Sequence, residues 1–382
     1  VPMGRKRTGR IRLSVLNHTS VLLSGHRIAA HDADQTSDSP AFLMYLSEFD
    51  FPFDPALIAT HPTLPRDHAR LLVLKRLNRS LAHRRVDELP DILEPGDLLV
   101  VNNTKVLAAR VAGRKYPSGG EVEILFVKDL GNAIWEVLIK GRCRPGQVIK
   151  MSAEAVATVV ERSVMRTTAR VESLVPFPKW LQQYGRMPLP PYLKRAPTDQ
   201  DREWYQTLFA QCEGAIAAPT AGLHFTPELL VRLQQRRVDL ATVTLHVGVG
   251  TFKPVTVKQI KDHRMGVEWV EVGSEAVRAI EQARTAGRRI VAVGTTVVRA
   301  LETAARRAGG IQPYRGETDI FLTPGFQLKA VDALFTNFHL PRTTLLMLVS
   351  ALAGTEFLRQ AYVEAVHERY RFYSYGDAML IL

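Results

Sequence analysis

Cysteine is nearly absent: Cys143 and Cys212 are the two thiols in 382 residues. Two cysteines make neither a disulfide framework nor a structural zinc site, and neither has neighbours at ligand spacing, so the chain reads as one suited to a reducing cytoplasm. Long apolar runs are missing as well. The longest, such as Leu98–Val101 and Leu345–Val349, are strand-sized, far short of the roughly 20 residues a membrane-spanning helix needs. No GxxxxGK(S/T) phosphate loop and no GxGxxG fingerprint occurs, which removes the usual support for nucleotide hydrolysis and dinucleotide redox chemistry. No segment repeats. Acidic residues are in deficit, with 38 Asp and Glu against 50 Lys and Arg, and the resulting charge of +12 suits a polyanionic partner.

What is present is ordinary globular material: 46% hydrophobic, 23% charged and 8% aromatic residues, in a length that suits two domains or one domain with a large insertion. Residues 1–43 differ. They hold Arg5, Lys6, Arg7, Arg10 and Arg12 and a polar stretch from His31 to Pro40 with no apolar period, so little structure is expected there. Leu13–Ser24 is too polar for a signal-peptide core, and Asp32, Asp34 and Asp38 fit a transit peptide poorly. The chain begins with Val1, and Met44 opens the first segment of globular character. Residues 1–43 are therefore expected to be a disordered or non-native extension.

From Leu46 the chain is punctuated by prolines and then reads as strands at Leu71–Leu74 and Asp97–Asn102. Between about 106 and 178 the texture changes to β-branched runs (Val122–Val127, Ala133–Ile139, Ala155–Val160, Arg166–Val171) with glycine-containing turns, the mark of a small antiparallel barrel. After the proline-rich joint Met187–Leu193, helical and strand patterns alternate: helices at Asp201–Gln211, Pro227–Arg236, Ser274–Ala286 and Thr296–Arg307, strands at Leu240–His246 and Arg289–Val293. The expected fold is a mixed α/β main domain, residues 44–105 and 186–382, with an inserted antiparallel β-barrel domain, residues 106–185.

Five polar constellations interrupt the apolar pattern. Asn102-Asn103-Thr104-Lys105 leaves a strand end, where Asn and Thr either read a ligand or simply make turns. Ala217–Pro227 surrounds Thr220 and His224 with small residues just before a helix that Thr226 can cap. Leu245–Phe252 closes a strand with His246, Gly248 and Gly250, where a β-bulge explains the glycines as well as close ligand approach does. Gly294-Thr295-Thr296 is a strand-to-helix turn followed by Arg299 and Glu302, suited to a carboxylate or ribose oxygens, or to plain capping. Thr318–Phe321 and Thr336–Pro341 set Asp319, Asn337 and His339 among aromatics. His224, His246 and His339 have no carboxylate or cysteine neighbour at ligand spacing, so no metal is expected. Between Arg66 and Arg85, seven basic residues face one acid, Asp67, which is either a solvated face or a phosphate-contacting one.

The segments DFPFDPALIATHP, GDLLVVNNTKVLAAR, MPLPPYLKR, APTAGLHFTPELL, VTLHVGVGTFKPV, GTTVVRALET, TDIFLTPG, TNFHLPRTTLLMLVSALAG and RFYSYGDAMLI resemble the S-adenosylmethionine:tRNA ribosyltransferase-isomerase family of queuosine biosynthesis. The likeness runs in order from about Met44 to Leu382. It implies an α/β domain with an inserted β-barrel and transfer, with isomerisation, of the ribosyl part of S-adenosylmethionine onto 7-aminomethyl-7-deazaguanine in the tRNA anticodon. Epoxyqueuosine, adenine and methionine would be released, the donor being consumed as a cosubstrate with no cofactor. A cytoplasmic monomer acting on tRNA, away from membranes, is expected.

Within that resemblance His224 and His246 are the expected proton-transfer residues, and Arg299 with Thr295 and Thr296 the carboxylate site. Asp319, Asn337 and His339 are expected at ribose or adenine, and Asn102 at the deazaguanine, with Thr220 and Gly248 lining the pocket. Arg66, Arg70, Lys75, Arg76 and Arg79 are expected along the tRNA backbone. Two positions depart from the family pattern: Asn103 and Lys105 stand where Asp and Arg are common, and Val297 where Ser commonly follows Gly-Thr-Thr. A noncatalytic tRNA-binding relative is the competing reading. An S-adenosylmethionine-dependent RNA methyltransferase is disfavoured by the missing glycine-rich loop.

Overall fold

A nine-stranded sheet forms the centre of the protein, in a computed structural model that describes residues 44–163, 166–248, 255–306 and 310–382. Expectations for residues 1–43, and for Gly250–Phe252 of the third constellation, lie outside the described residues. In chain order the strands begin with β1 (Arg70–Lys75), β2 (Ser80–Arg85), β3 (Leu98–Asn102) and β4 (Thr104–Val106). Then come β5 (Arg110–Tyr116), β6 (Glu121–Asp129), β7 (Ile134–Lys140), β8 (Val148–Lys150), β9 (Ala155–Arg162) and β10 (Thr167–Ser173). The rest are β11 (Cys212–Ala215), β12 (Asp239–His246), β13 (Glu268–Val272), β14 (Ile290–Val293), β15 (Tyr314–Thr318), β16 (Ala333–Asn337) and β17 (Ala378–Ile381).

The sheet runs β15-β13-β12-β3-β14-β16-β17-β1-β2. β12, β3, β14 and β16 are mutually parallel. A sheet with parallel strands must be covered on both faces, and the alternation along β1 shows it: Leu72 and Leu74 join one core cluster, Leu71 and Val73 the other. The first face is covered by helices Ser274–Thr285, Thr295–Ala305, Thr344–Ala353 and Thr355–His367, the second by helix Pro227–Gln235. Such sheets bind ligands outside the carboxyl ends of their parallel strands, and here that edge carries Asn102, His246, Gly294 and Asn337.

Strands β5 to β10 close into a six-stranded antiparallel barrel, order β10-β7-β6-β5-β8-β9. Its alternate residues Val122, Ile124 and Phe126 point inward. Helix Phe177–Tyr184 closes the interior, Phe177 lying 4.8 Å from Phe126 and 5.4 Å from Trp135 by ring centroids. The chain enters the barrel after β4 and returns before β11, and those two strands pair in parallel. The mixed α/β class with a closed antiparallel barrel is therefore present.

Two local expectations change. The helix expected over Asp201–Gln211 ends at Trp204, because the segment turns to place the Gln211 and Cys212 amides on the Asn103 carbonyl. The basic run Arg66–Arg85 is a short 3-10 turn, Arg66–His68, and the β1-β2 hairpin.

Candidate active site

Two cavities meet at the carboxyl edge of the sheet, and Val247 lines both. The smaller, about 60 Å³, lies over the N-terminus of helix Thr295–Ala305. Thr220, Thr295, Thr296, Asn337 and His339 all line it, with Tyr192, Tyr205 and Tyr373 as aromatic walls. The turn into the helix needs Gly294, which sits at φ +96° with its missing Cβ facing the Ala221 methyl at 3.4 Å. Thr296 Oγ1 and Asn337 Oδ1 are buried with no hydrogen-bond partner among the described residues. Buried polar atoms are rarely left unpaired, so the cavity offers a hydroxyl and a carbonyl oxygen to an incoming group. Tyr373 adopts φ +74°, a left-handed conformation unusual for a bulky residue, and its carbonyl accepts a hydrogen bond from Asn337 at 3.1 Å.

His224 does not reach this cavity's lining. Its Nε2 accepts from Asn337 Nδ2 at 3.1 Å and it bonds the Arg66 backbone, while burial pushes its pKa down to about 4. Both ring nitrogens are engaged, and the ring holds Asn337 in place from behind the cavity wall. His339, lowered to about 3 by burial, is held by Thr336 Oγ1 at 3.0 Å.

The larger cavity is a cleft of about 1030 Å³ between the barrel and the sheet. Strands β6 and β7 and the start of β10 form one wall, and Gly214, His246, Gly248, Glu268 and Trp269 the other. His246 is held on two sides: Trp269 stacks on its ring at 5.1 Å with planes 18° apart, and Thr104 Oγ1 lies 2.7 Å from Nδ1. No described group hydrogen-bonds Nε2, which lies 2.7 Å from where a Cβ on Gly214 would stand. Only a glycine leaves room for the ring there, and its φ of +147° suits glycine too. Burial lowers the His246 pKa, partly countered by Glu271, so the ring is neutral near pH 7 and its cleft-side nitrogen can accept a proton.

At the cleft floor Arg299 Nη1 lies 2.6 Å from Glu268 Oε2 and Nη2 3.3 Å from Oε1. Both residues are almost fully buried. The guanidinium fork expected to hold a ligand carboxylate is paired with Glu268 here, while Nε has no hydrogen-bond partner among the described residues. Glu302 likewise caps the Lys329 and Ala330 amides.

Other expected residues lie elsewhere. Asn102 is consumed by β12 and β4, bonding both main-chain groups of Leu245 and the Thr104 amide, and it lines neither cavity. Asp319 is exposed and lines neither. In the basic run, Arg66 donates to the carbonyls of Glu203 and Gln206, Arg70 pairs with Asp377, and Arg76 reaches the carbonyls of Asp332 and Leu382. Arg66, Arg70 and Arg76 thus each make hydrogen bonds or an ion pair within the fold, and Lys75, Arg76 and Arg79 are exposed.

Both departures from the family pattern fall outside the cavities. Asn103 Oδ1 accepts from Thr244 Oγ1 at 2.6 Å, a bond a carboxylate would make equally well. Val297 is wholly buried in the apolar core. Sequence reasoning missed Gly214, Glu268 and Trp269, and placed Thr104 in a polar constellation without giving it a role. The alternating VEWVEV run was the available signal for Trp269 and Glu268, whereas Thr104 and Gly214 matter only through a contact with His246 far away in sequence.

The family model described as queuosine biosynthesis protein matches residues 46–381. The chain is 49% identical over 341 residues to the S-adenosylmethionine:tRNA ribosyltransferase-isomerase of Aquifex aeolicus (strain VF5), covering 89% of this chain and 100% of that one. It is 48% identical to the protein of the same name from Xanthomonas oryzae pv. oryzae, covering 88% and 97%. The crystal structure of S-adenosylmethionine tRNA ribosyltransferase from Thermotoga maritima is similar with TM-score 0.52 at 38% identity, covering 88% of this chain and 100% of that one.

Proposed function

This chain belongs to the queuosine biosynthesis protein family and is a tRNA-modifying S-adenosylmethionine:tRNA ribosyltransferase-isomerase, and we propose that its chemistry runs in the barrel-side cleft with His246 as the general base. The acceptor in this reading is 7-aminomethyl-7-deazaguanine in the anticodon of tRNA, the products are epoxyqueuosine, adenine and methionine, and the protein works as a cytoplasmic monomer without a resident cofactor.

The single observation that carries the assignment is the setting of His246: a cleft-lining ring, neutral, clamped by Thr104 and Trp269, with Nε2 beside Gly214 and without a hydrogen-bond partner among the described residues. A sulfonium acidifies the protons on the adjacent C5′, and a positioned neutral imidazole is the group suited to take one. The electron pair on C5′ then forms a C4′=C5′ double bond as the C4′–O4′ bond breaks, the freed oxygen becomes a carbonyl at C1′ and expels adenine, which leaves with a proton, and the tRNA amine adds to C1′. The proton held by His246 is returned later in the cycle, and methionine departs with the electrons of the C5′–S bond.

The small cavity is assigned to the amino-acid end of the cosubstrate. At about 10–15 Å³ per water-sized group, 60 Å³ holds a carboxylate and an ammonium on one carbon but not a purine. The helix N-terminus with the Thr296 hydroxyl suits the anion, and Asn337 Oδ1 suits the cation. Val247 then separates the two ends of one ligand.

The test is to incubate the protein with S-adenosylmethionine and tRNA carrying the aminomethyl-deazaguanine, following released bases by chromatography and the nucleoside by mass. Adenine, methionine and an epoxide-bearing ribosylated nucleoside are expected. S-adenosylhomocysteine would instead identify a methyltransferase, and no product would favour a binder.

A further inference from the structure

We infer that the far end of the barrel is the RNA-docking surface, a cationic crown that takes the phosphates flanking the nucleotide held in the cleft. The inference rests on tRNA being the acceptor, and it moves the docking surface away from the Arg66–Arg85 run, whose arginines are largely engaged within the fold.

The strand ends there lead into the β5-β6 turn (117–120), the β7-β8 loop (141–147) and the β9-β10 connection, of which Ser163 and Arg166 are described. They are knitted together by Arg162 Nη2 to the Gly141 carbonyl at 3.1 Å, Lys115 Nζ to the Arg142 carbonyl at 3.3 Å, and the Gln147 side chain to the Tyr116 carbonyl at 2.8 Å. None of the three connections contains an acid. Lys140, Arg142, Arg144, Arg162 and Arg166 are all exposed, and none makes an ion pair with a described acid. The acid at the edge of the β5-β6 turn, Glu121, is paired with Arg114 at 3.1 Å. Against these five cations stands one exposed acid without an ion pair among the described residues at this end, Glu161 beside Arg162, and such a cationic excess favours a polyanion over solvent.

The crown is continuous with the cleft. Leu138 and Arg166 line the cleft wall, and Lys140 stands two residues beyond Leu138 on the same face of β7, because strand side chains repeat every second residue. Tyr116 is 56% exposed among these cations, with Lys150 Nζ 4.4 Å from its ring centre. An exposed aromatic amid cations is what an unpaired base stacks on. The surface therefore fits a single-stranded loop of RNA, with one nucleotide in the cleft and its neighbours along the crown.

The test compares Arg142→Glu/Arg144→Glu with Lys75→Glu/Arg79→Glu in the full chain, measuring tRNA affinity across a salt series, with thermal melting and S-adenosylmethionine binding as controls. The crown pair is expected to weaken tRNA binding by about tenfold or more and to flatten the salt slope by about 2, with melting and cosubstrate binding unchanged. Tyr116→Ala is expected to weaken binding without changing the slope. Parental affinity and slope in the crown pair, with the loss appearing in the Lys75/Arg79 pair, would overturn the crown while leaving tRNA as acceptor. Failure of the parent protein to bind or modify tRNA would overturn the functional reading and the crown with it.

Discussion

Thr104 Oγ1 lies 2.7 Å from His246 Nδ1, across 142 residues of sequence and on the side of the ring away from Gly214. One short strand thereby fixes the orientation of the imidazole that the cleft presents to its ligand. Removing that hydroxyl while keeping the shape, Thr104→Val, is expected to lower kcat by about 3- to 10-fold, the worth of one hydrogen bond, with KM for S-adenosylmethionine within about twofold. Thr104→Ser restores kcat. A change in KM alone would assign Thr104 to binding.

Buried neutral histidines make stability depend on pH. His224 and His339 have pKa values of about 4 and about 3 against an unfolded value near 6.5. The unfolded chain therefore takes up protons first, so their contribution is fully present above about 6.5 and is lost as pH falls toward 4 and 3. Between pH 7 and pH 5 each is expected to cost about 2 kcal/mol. Denaturant titrations at the two pH values check this, and His339→Gln removes its own share of the pH dependence.

Asn337 Oδ1 is the unpaired acceptor in the small cavity. Asn337→Ala is expected to raise the Kd for S-adenosylmethionine by roughly 10-fold, in keeping with a hydrogen bond to a charged group, and to leave tRNA affinity unchanged. Calorimetry with each ligand separately reads both. Weaker tRNA binding with unchanged cosubstrate binding would reverse the assignment of the two cavities.

The Arg299–Glu268 pair is buried, so breaking it leaves an uncompensated charge. Glu268→Ala is expected to destabilise the protein by about 3–5 kcal/mol. Replacing both partners, Glu268→Ala with Arg299→Met, is expected to cost less than the sum of the single changes, as coupled sites do. Additive losses would mean that the two side chains act independently.

Much of this architecture was legible because strands and helices announce themselves through period. β1, β3, β6, β7 and β12 fall within a residue or two of the runs that suggested them, and Thr295, Thr296, Asn337 and His339 do gather at one cavity. The site's working parts were harder to see. A sequence window shows that Arg299 and Asn102 are polar in apolar surroundings, but not that Glu268 and Leu245 already satisfy them. The same limit hid the Arg66–Arg85 run, whose carbonyl partners lie more than a hundred residues away. His224 and His246 looked equivalent in sequence. Burial and partners separate them, one ring closed at both nitrogens and the other open to the cleft.

The most direct test is single-turnover adenine release by His246→Gln and His224→Gln at saturating S-adenosylmethionine and tRNA, with binding of each ligand measured in parallel. Loss of a general base is worth about 10²- to 10⁴-fold, so His246→Gln is expected to release adenine at least about 100-fold more slowly while still binding both ligands. His224→Gln is expected to retain the chemical step and lose cosubstrate affinity through Asn337. Near-parental adenine release by His246→Gln would contradict the account and place the base elsewhere in the cleft.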